Sequence, residues 1–245
     1  MIRSAERTVD DYADEIEMFE DISGAYAIIG GMAVQIWAAR YLDEEALREI
    51  GIKPPLTSKD LDIRGRLGHA FAIRGLWTKT TLPLFQEFSW KGSDRKTWAV
   101  RESTDKLSRV VEVTELVPGL DTPDKTNGYN LRITHGSIDL HVLDPISCLI
   151  AKTDVLAREQ KANLAGLRRD AEHGFVLHKV VPLYLSELAK RKQTLIDVAQ
   201  EQARGAVAIE VAEEQLKPFL NKVPGRRHAR KQKRPGTPFC KPGFV

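Results

Sequence analysis

Two aspartates, Asp60 and Asp62, stand two residues apart in Lys59-Asp60-Leu61-Asp62-Ile63. On an extended strand, side chains at i and i+2 point to one face, so both carboxylates can reach a common point while Leu61 and Ile63 turn to the core. Carboxylates held this close repel, and burying either without a partner is expensive. A divalent cation relieves both costs, and hard oxygen donors suit magnesium. Aspartates so spaced also cap loops or face solvent, and the pair alone does not separate these roles. Asp139 repeats the pattern in Ser137-Ile138-Asp139-Leu140-His141-Val142-Leu143, with its polar residues on one face and its apolar residues on the other. A third strand-borne carboxylate completes the set used by a two-metal phosphoryl-transfer site, in which ions about 3.5–4 Å apart clamp the attacking and leaving oxygens.

Gly30-Gly31 follows the apolar run Tyr26-Ala27-Ile28-Ile29 and precedes a helical pattern. A strand–Gly-Gly–helix turn exposes backbone N–H groups with no Cβ in the way, and the helix dipole favours a phosphate there. Any tight strand-to-helix turn can also use two glycines. The segment lacks the G-K-[ST] ending of a P-loop and is not a G-x-G-x-x-G fingerprint. Ser58 and Lys152 are candidate phosphate contacts, with capping and solvation as the alternatives. Arg158, Arg168, Arg169 and Asp170 read as helix-surface pairs. His141 beside one aspartate makes no zinc site, and His173, His178 and Cys148 read as structural.

The elements that must position these groups follow from periodicity. Tyr12, Ile16, Phe19 and Ile22 predict an amphipathic helix over 9–24, and Tyr26–Ile29 a buried strand. Met32–Leu42 and 43–51 read as helical until Pro54-Pro55, and Asp60–Ile63 reads as a brief strand. Residues 68–108 are the least legible, with a helix over 68–80 and then an irregular stretch. Arg109–Val117 is a strand, and Tyr129–Thr134 with Ser137–Leu143 a hairpin turning at His135-Gly136. Asp144 and Pro145 are the N-cap and first residue of a helix, and helices are predicted over 145–173, 177–191 and 194–220. The fold class is α+β, a mixed sheet with flanking helices followed by a C-terminal helical bundle. The domains are 1–144 (α/β), 145–220 (helical) and 221–245 (a flexible basic tail).

Taken together, Ile28-Ile29-Gly30-Gly31, Asp60-Leu61-Asp62 and Ile138-Asp139-Leu140 resemble the nucleotidyltransferase superfamily related to DNA polymerase beta. Thr57-Ser58-Lys59-Asp60-Leu61-Asp62, with Leu143-Asp144-Pro145 leading to Lys152, looks most like its abortive-infection toxin branch, the AbiEii-like members of type IV toxin–antitoxin pairs. The likeness spans about residues 24–175. The 28 residues between Gly31 and Asp60 exceed those of compact members, Gly31 stands where many have serine, and 68–128 match no motif. The resemblance implies a nucleotidyltransferase-type sheet and transfer of a nucleoside monophosphate from an NTP to an acceptor hydroxyl with release of pyrophosphate. It implies two magnesium ions on Asp60, Asp62 and Asp139, with Asp139 also helping to deprotonate the acceptor. Gly30, Gly31, Ser58 and Lys152 would bind the nucleotide. The acceptor it suggests is RNA, with tRNA the obvious choice, and an antitoxin protein would be the partner of a toxin. A protein or small-molecule acceptor, or a catalytically silent nucleic-acid-binding protein, are the alternatives.

Composition narrows the setting. Two cysteines exclude a disulfide framework, no apolar run reaches bilayer length, and the charged N-terminus carries no secretory pattern, so a cytoplasmic protein without a membrane is expected. The net charge of +3 arises from 37 Lys and Arg against 34 Asp and Glu. Residues 221–245 hold eight of those cations and no acid, which leaves 29 against 34, or −5, for the first 220 residues. An acidic body repels a polyanion, and a basic tail offsets that repulsion by counterion release. Truncation after Leu220 is expected to weaken RNA binding and, if half the tail's charges engage phosphates, to flatten the log–log salt slope by roughly 3. Filter binding across salt concentrations reads this, and an unchanged slope would remove the tail as the RNA anchor.

Overall fold

The apolar triplet Ala27-Ile28-Ile29 forms β1, and its position in the middle of a sheet organises what surrounds it. The computed structural model describes residues 7–20, 22, 26–89, 96–103, 108–120, 129–135, 138–158, 164–190 and 195–220. A 3-10 turn, Val9–Tyr12, runs into α1 (Ala13–Glu20). After β1 come α2 (Gly30–Tyr41), α3 (Glu44–Glu49), β2 (Leu61–Arg64) and α4 (Leu67–Trp77). The strands β3 (Leu84–Ser89), β4 (Lys96–Ser103), β5 (Ser108–Thr114), β6 (Asn130–His135) and β7 (Ile138–Leu143) follow. The helices α5 (Pro145–Arg158), α6 (Leu164–Lys190) and α7 (Leu195–Leu216) end the described chain, with a 3-10 turn at Lys217–Phe219.

The seven strands form one mixed sheet in the order β3-β4-β5-β2-β1-β7-β6. β1 is antiparallel to β2 and parallel to β7, and β2 is parallel to β5. The outer pairs β3–β4, β4–β5 and β6–β7 are antiparallel. Leu61 and Ile63 of β2 and Val111 and Val113 of β5 are fully buried on one face. Strand alternation turns Asp62 and Glu112 to the other. α4 covers the apolar face, where Phe71 stacks on Phe85 of β3 at 5.3 Å.

α5, α6 and α7 pack on one another, and α2 packs against α5 and α6. The core is continuous through both parts, since Ile28, Met32 and Leu140 belong to one cluster with Ile146, Leu149 and Val180. Asp144 caps α5, its Oδ1 accepting from the N–H of Ile146 at 3.0 Å and of Ser147 at 3.1 Å. Arg204 of α7 grips the same carboxylate through both oxygens at 3.0 Å, and its guanidinium lies 3.8 Å from the Tyr129 ring centroid. A cap and an ion pair thereby share one buried acid.

The mixed sheet with flanking helices matches the expected class, and α4, β5, β6 and β7 fall near their expected ranges. Two differences stand out. The stretch after residue 80, expected to be irregular, supplies β3 and β4. The predicted break between helices at 173–177 is absent, because α6 runs through His173 and Gly174. A Cβ on Gly174 would lie 2.8 Å from Leu216 Cδ2, so this glycine lets α7 approach rather than ending a helix. The turn at Gly136 and the tail over 221–245 lie outside the described residues. No helix among the described residues is long and apolar enough to cross a membrane.

Candidate active site

Asp62 is the fixed point of the site. It sits opposite Ile29 at the end of β1, so its carboxylate meets the turn by which the chain leaves the sheet for α2. The Gly31 N–H donates to that carboxylate. Gly30 has φ of +63°, a conformation that penalises any side chain, and a Cβ placed on it would fall 1.8 Å from Asp62 Oδ2. Gly30 is thus required by the acid it touches. A Cβ on Gly31 would lie 2.4 Å from Ser58 Oγ and 3.2 Å from His173 Cε1.

Glu112 is directly opposite Asp62 across the parallel β2–β5 pair, which sets the two backbones about 4.8 Å apart. Asp60, just before β2, completes the group electrostatically, since its charge acts on both carboxyls. Burial first, then Asp60 and Glu112, push the Asp62 carboxyl well above the usual carboxylate range, against the pull of Lys152 and the Gly31 N–H. Burial and Asp60 raise Glu112 in the same direction, opposed by Arg101 of β4. Asp62 and Glu112 therefore stand side by side on the polar face of the sheet, within reach of the charge of Asp60.

A cavity of about 310 Å³ opens at this point. Asp62, Glu112, Gly30 and the hydroxyl-bearing Thr97 and Thr114 form its sheet side. Lys152 of α5 and Asp170 of α6 stand on its helical side, paired at 2.7 Å. Leu116, Val117, Pro118 and Val155 supply an apolar wall. Cys148 also lines it, and burial, reinforced by Asp144, keeps that thiol protonated. His173, under Gly31, is held neutral by burial and by the charges of Lys152 and Arg169.

The expected site residues divide clearly. Gly30, Asp62 and Lys152 line the cavity, while Gly31 reaches Asp62 through its N–H, as Asp60 does through its charge. Ser58 is buried under Gly31, its backbone paired with Arg7 at 2.7 and 3.0 Å, and it does not line the cavity. Asp139 is not part of the group. The registers of β1 with β2 and β7 place it two strands from Asp62 and four residues down the sheet, about 10 Å across and about 13 Å along. There it accepts from Arg132 at 2.8 Å and Thr134 at 2.9 Å in a half-exposed surface pair. Glu112 takes the place expected for Asp139. Val111-Glu112-Val113 carries the same apolar–acid–apolar signal as Ile138-Asp139-Leu140, so only the strand order distinguishes the two. Asp170, expected in a surface pair, instead meets Lys152 across two helices.

Among the described residues no three His, Cys, Asp or Glu side chains are gathered tightly enough to hold a metal ion by themselves. The donor chemistry nevertheless fits magnesium, which commonly takes one or two carboxylates and completes its shell with water and substrate phosphates. Acids that raise one another's pKa are those a cation returns to the charged form.

Two outcomes follow for the metal-free protein. Gly30→Ala is expected to cost about 1–3 kcal/mol in urea unfolding, and adding Asp62→Ala should recover part of that loss. Full stability of the single variant would remove the contact. Because Asp62 and Glu112 hold protons in the folded chain that the unfolded chain has already released, their contribution is intact below the ordinary carboxyl range and lost as pH rises through the folded values. Thermal melts from acid to neutral pH should therefore fall more steeply for wild type than for Asp62→Asn, and the substitution should raise the melting temperature at neutral pH; parallel curves would contradict the assignment. Comparison with protein-family models, with curated proteins and with solved structures gives no match.

Proposed function

We propose that the chain is a magnesium-dependent nucleotidyltransferase that moves a nucleoside monophosphate from an NTP to a hydroxyl of RNA. The observation that carries this reading is the meeting of Asp62 and Glu112 with the N-terminus of α2 and with Lys152 around one cavity, under the charge of Asp60. Magnesium bound on these carboxylates would neutralise phosphate charge and polarise the reacting oxygens.

The chain's own groups have separable roles. The start of α2 and Lys152 attract the triphosphate, and its arrival draws Lys152 away from Asp170. The apolar wall of Leu116, Val117, Pro118 and Val155 suits the flat face of a base. Glu112, whose carboxyl has a raised proton affinity, receives the proton of the acceptor hydroxyl. That oxygen forms a bond to the α-phosphorus as the bond to pyrophosphate breaks, and pyrophosphate departs with the electron pair. Thr97 and Thr114 are placed to orient phosphate or sugar oxygens. The RNA acceptor rests on the basic composition of 221–245 against an acidic remainder.

Incubation with each labelled NTP, magnesium and cellular RNA tests the reading. Asp62→Asn and Glu112→Gln should each lower transfer by about 10²-fold or more, while Asp139→Asn stays near wild type. Transfer that survives Glu112→Gln but is lost in Asp139→Asn would return the third acid to β7. No transfer with any NTP would reject the activity.

A further inference from the structure

The two margins of the sheet differ. β6 presents exposed Arg132 and Thr134, both engaged with Asp139. At β3, Leu82, Leu84 and Phe88 are 91%, 59% and 46% exposed, and Phe71 of α4, beside this strand, is 50% exposed. Half of the large hydrophobic side chains exposed among the described residues gather on this margin. No strand among the described residues pairs with the outer side of β3. An apolar edge with free N–H and C=O groups is a template for another strand.

We propose that β3 pairs antiparallel with β3 of a second copy, with Gln86 opposite Gln86, so that two sheets join into one. This inference is independent of the reaction assigned above. A two-fold axis perpendicular to the sheet requires the central residue to face itself. Centring on Glu87 would set two carboxylates face to face, which is unfavourable, and Glu87 already accepts from Trp98 Nε1 at 3.0 Å and pairs with Lys96 at 3.6 Å. Centring on Phe85 would bring Pro83, which has no N–H to donate, into the ladder.

Centring on Gln86 avoids the first cost and moves Pro83 to the very end of the ladder, opposite Ser89. On the face that carries Glu112 it sets Leu84 against Phe88 twice, flanking a Gln86 pair, so the exposed apolar groups cover one another. On the opposite face Phe85 meets Glu87 of the partner subunit, whose charge approaches Arg74, itself 5.9 Å over the Phe85 ring. Self-complementarity in both apolar pairing and charge selects a second copy over a foreign strand.

The full chain with Cys240→Ser tests the register, since the remaining Cys148 is buried. Sedimentation velocity in the micromolar range is expected to show a dimer. Leu84→Glu or Phe88→Glu, both at exposed positions that folding tolerates, should weaken it by about tenfold or more. Directly opposed residues of an antiparallel pair have Cα atoms within disulfide reach. Gln86→Cys should therefore give a covalent dimer with diamide, whereas Leu82→Cys, more exposed but far from its own copy, should not. A monomer throughout the concentration range, or Leu82→Cys cross-linking as readily as Gln86→Cys, would overturn the proposal.

Discussion

A carboxylate pressed against the first turn of a helix leaves no room for a side chain beneath it, and the rest of the site is arranged around that contact. Asp62 accepts from the Gly31 N–H and lies on Gly30 where a Cβ would stand. The contact ties β2 to the start of α2 and fixes how the chain leaves β1. Ser58 and His173 then fill the space under the turn, and the helical part of the chain closes over it through Lys152 and Asp170. The glycines in this arrangement serve the protein's own acid before any phosphate.

That acid is also under tension. Desolvation and two neighbouring carboxyls disfavour its charge, while Lys152 and one N–H favour it. A site of this kind stays folded because the apolar face of the same strands is well buried, with Leu61, Ile63, Val111 and Val113 inaccessible to solvent and α4 packed on β5. Packing on one face sustains electrostatic strain on the other. A cation bound there would relieve the strain and couple occupancy of the site to its protonation.

Much of this was legible from residue order. Alternation in Asp60–Ile63 and the apolar run before Gly30 placed β2, β1 and α2, and Asp144-Pro145 marked the start of α5. What residue order could not supply was adjacency. Asp139 and Glu112 are both acids between apolar neighbours, and periodicity treats them alike. Pairing of β2 with β5, on the side away from β1 and β7, decides between them. The strands β3 and β4 were obscured for a different reason. Their outward residues include Gln86, Glu87, Lys96 and Arg101 beside exposed Leu84 and Phe88, so no clean polar–apolar period survives. The predicted break at 173–177 failed for another reason, since Gly174 lies inside a helix where close packing against Leu216 requires it.

The strand order has an evolutionary reading. Asp62 and Glu112 are neighbours in space, yet α4, β3 and β4 intervene in the chain. All of that intervening strand material lies outward of β5, toward one margin. The outermost strand β3 can therefore lengthen, shorten or be exchanged without moving either acid, whereas β4 carries Thr97 of the cavity and Arg101, whose charge acts on Glu112. Lineages that inherit this sheet are free to rebuild its β3 edge, and with it any pairing between copies, while leaving the two acids in place, so divergence should concentrate there.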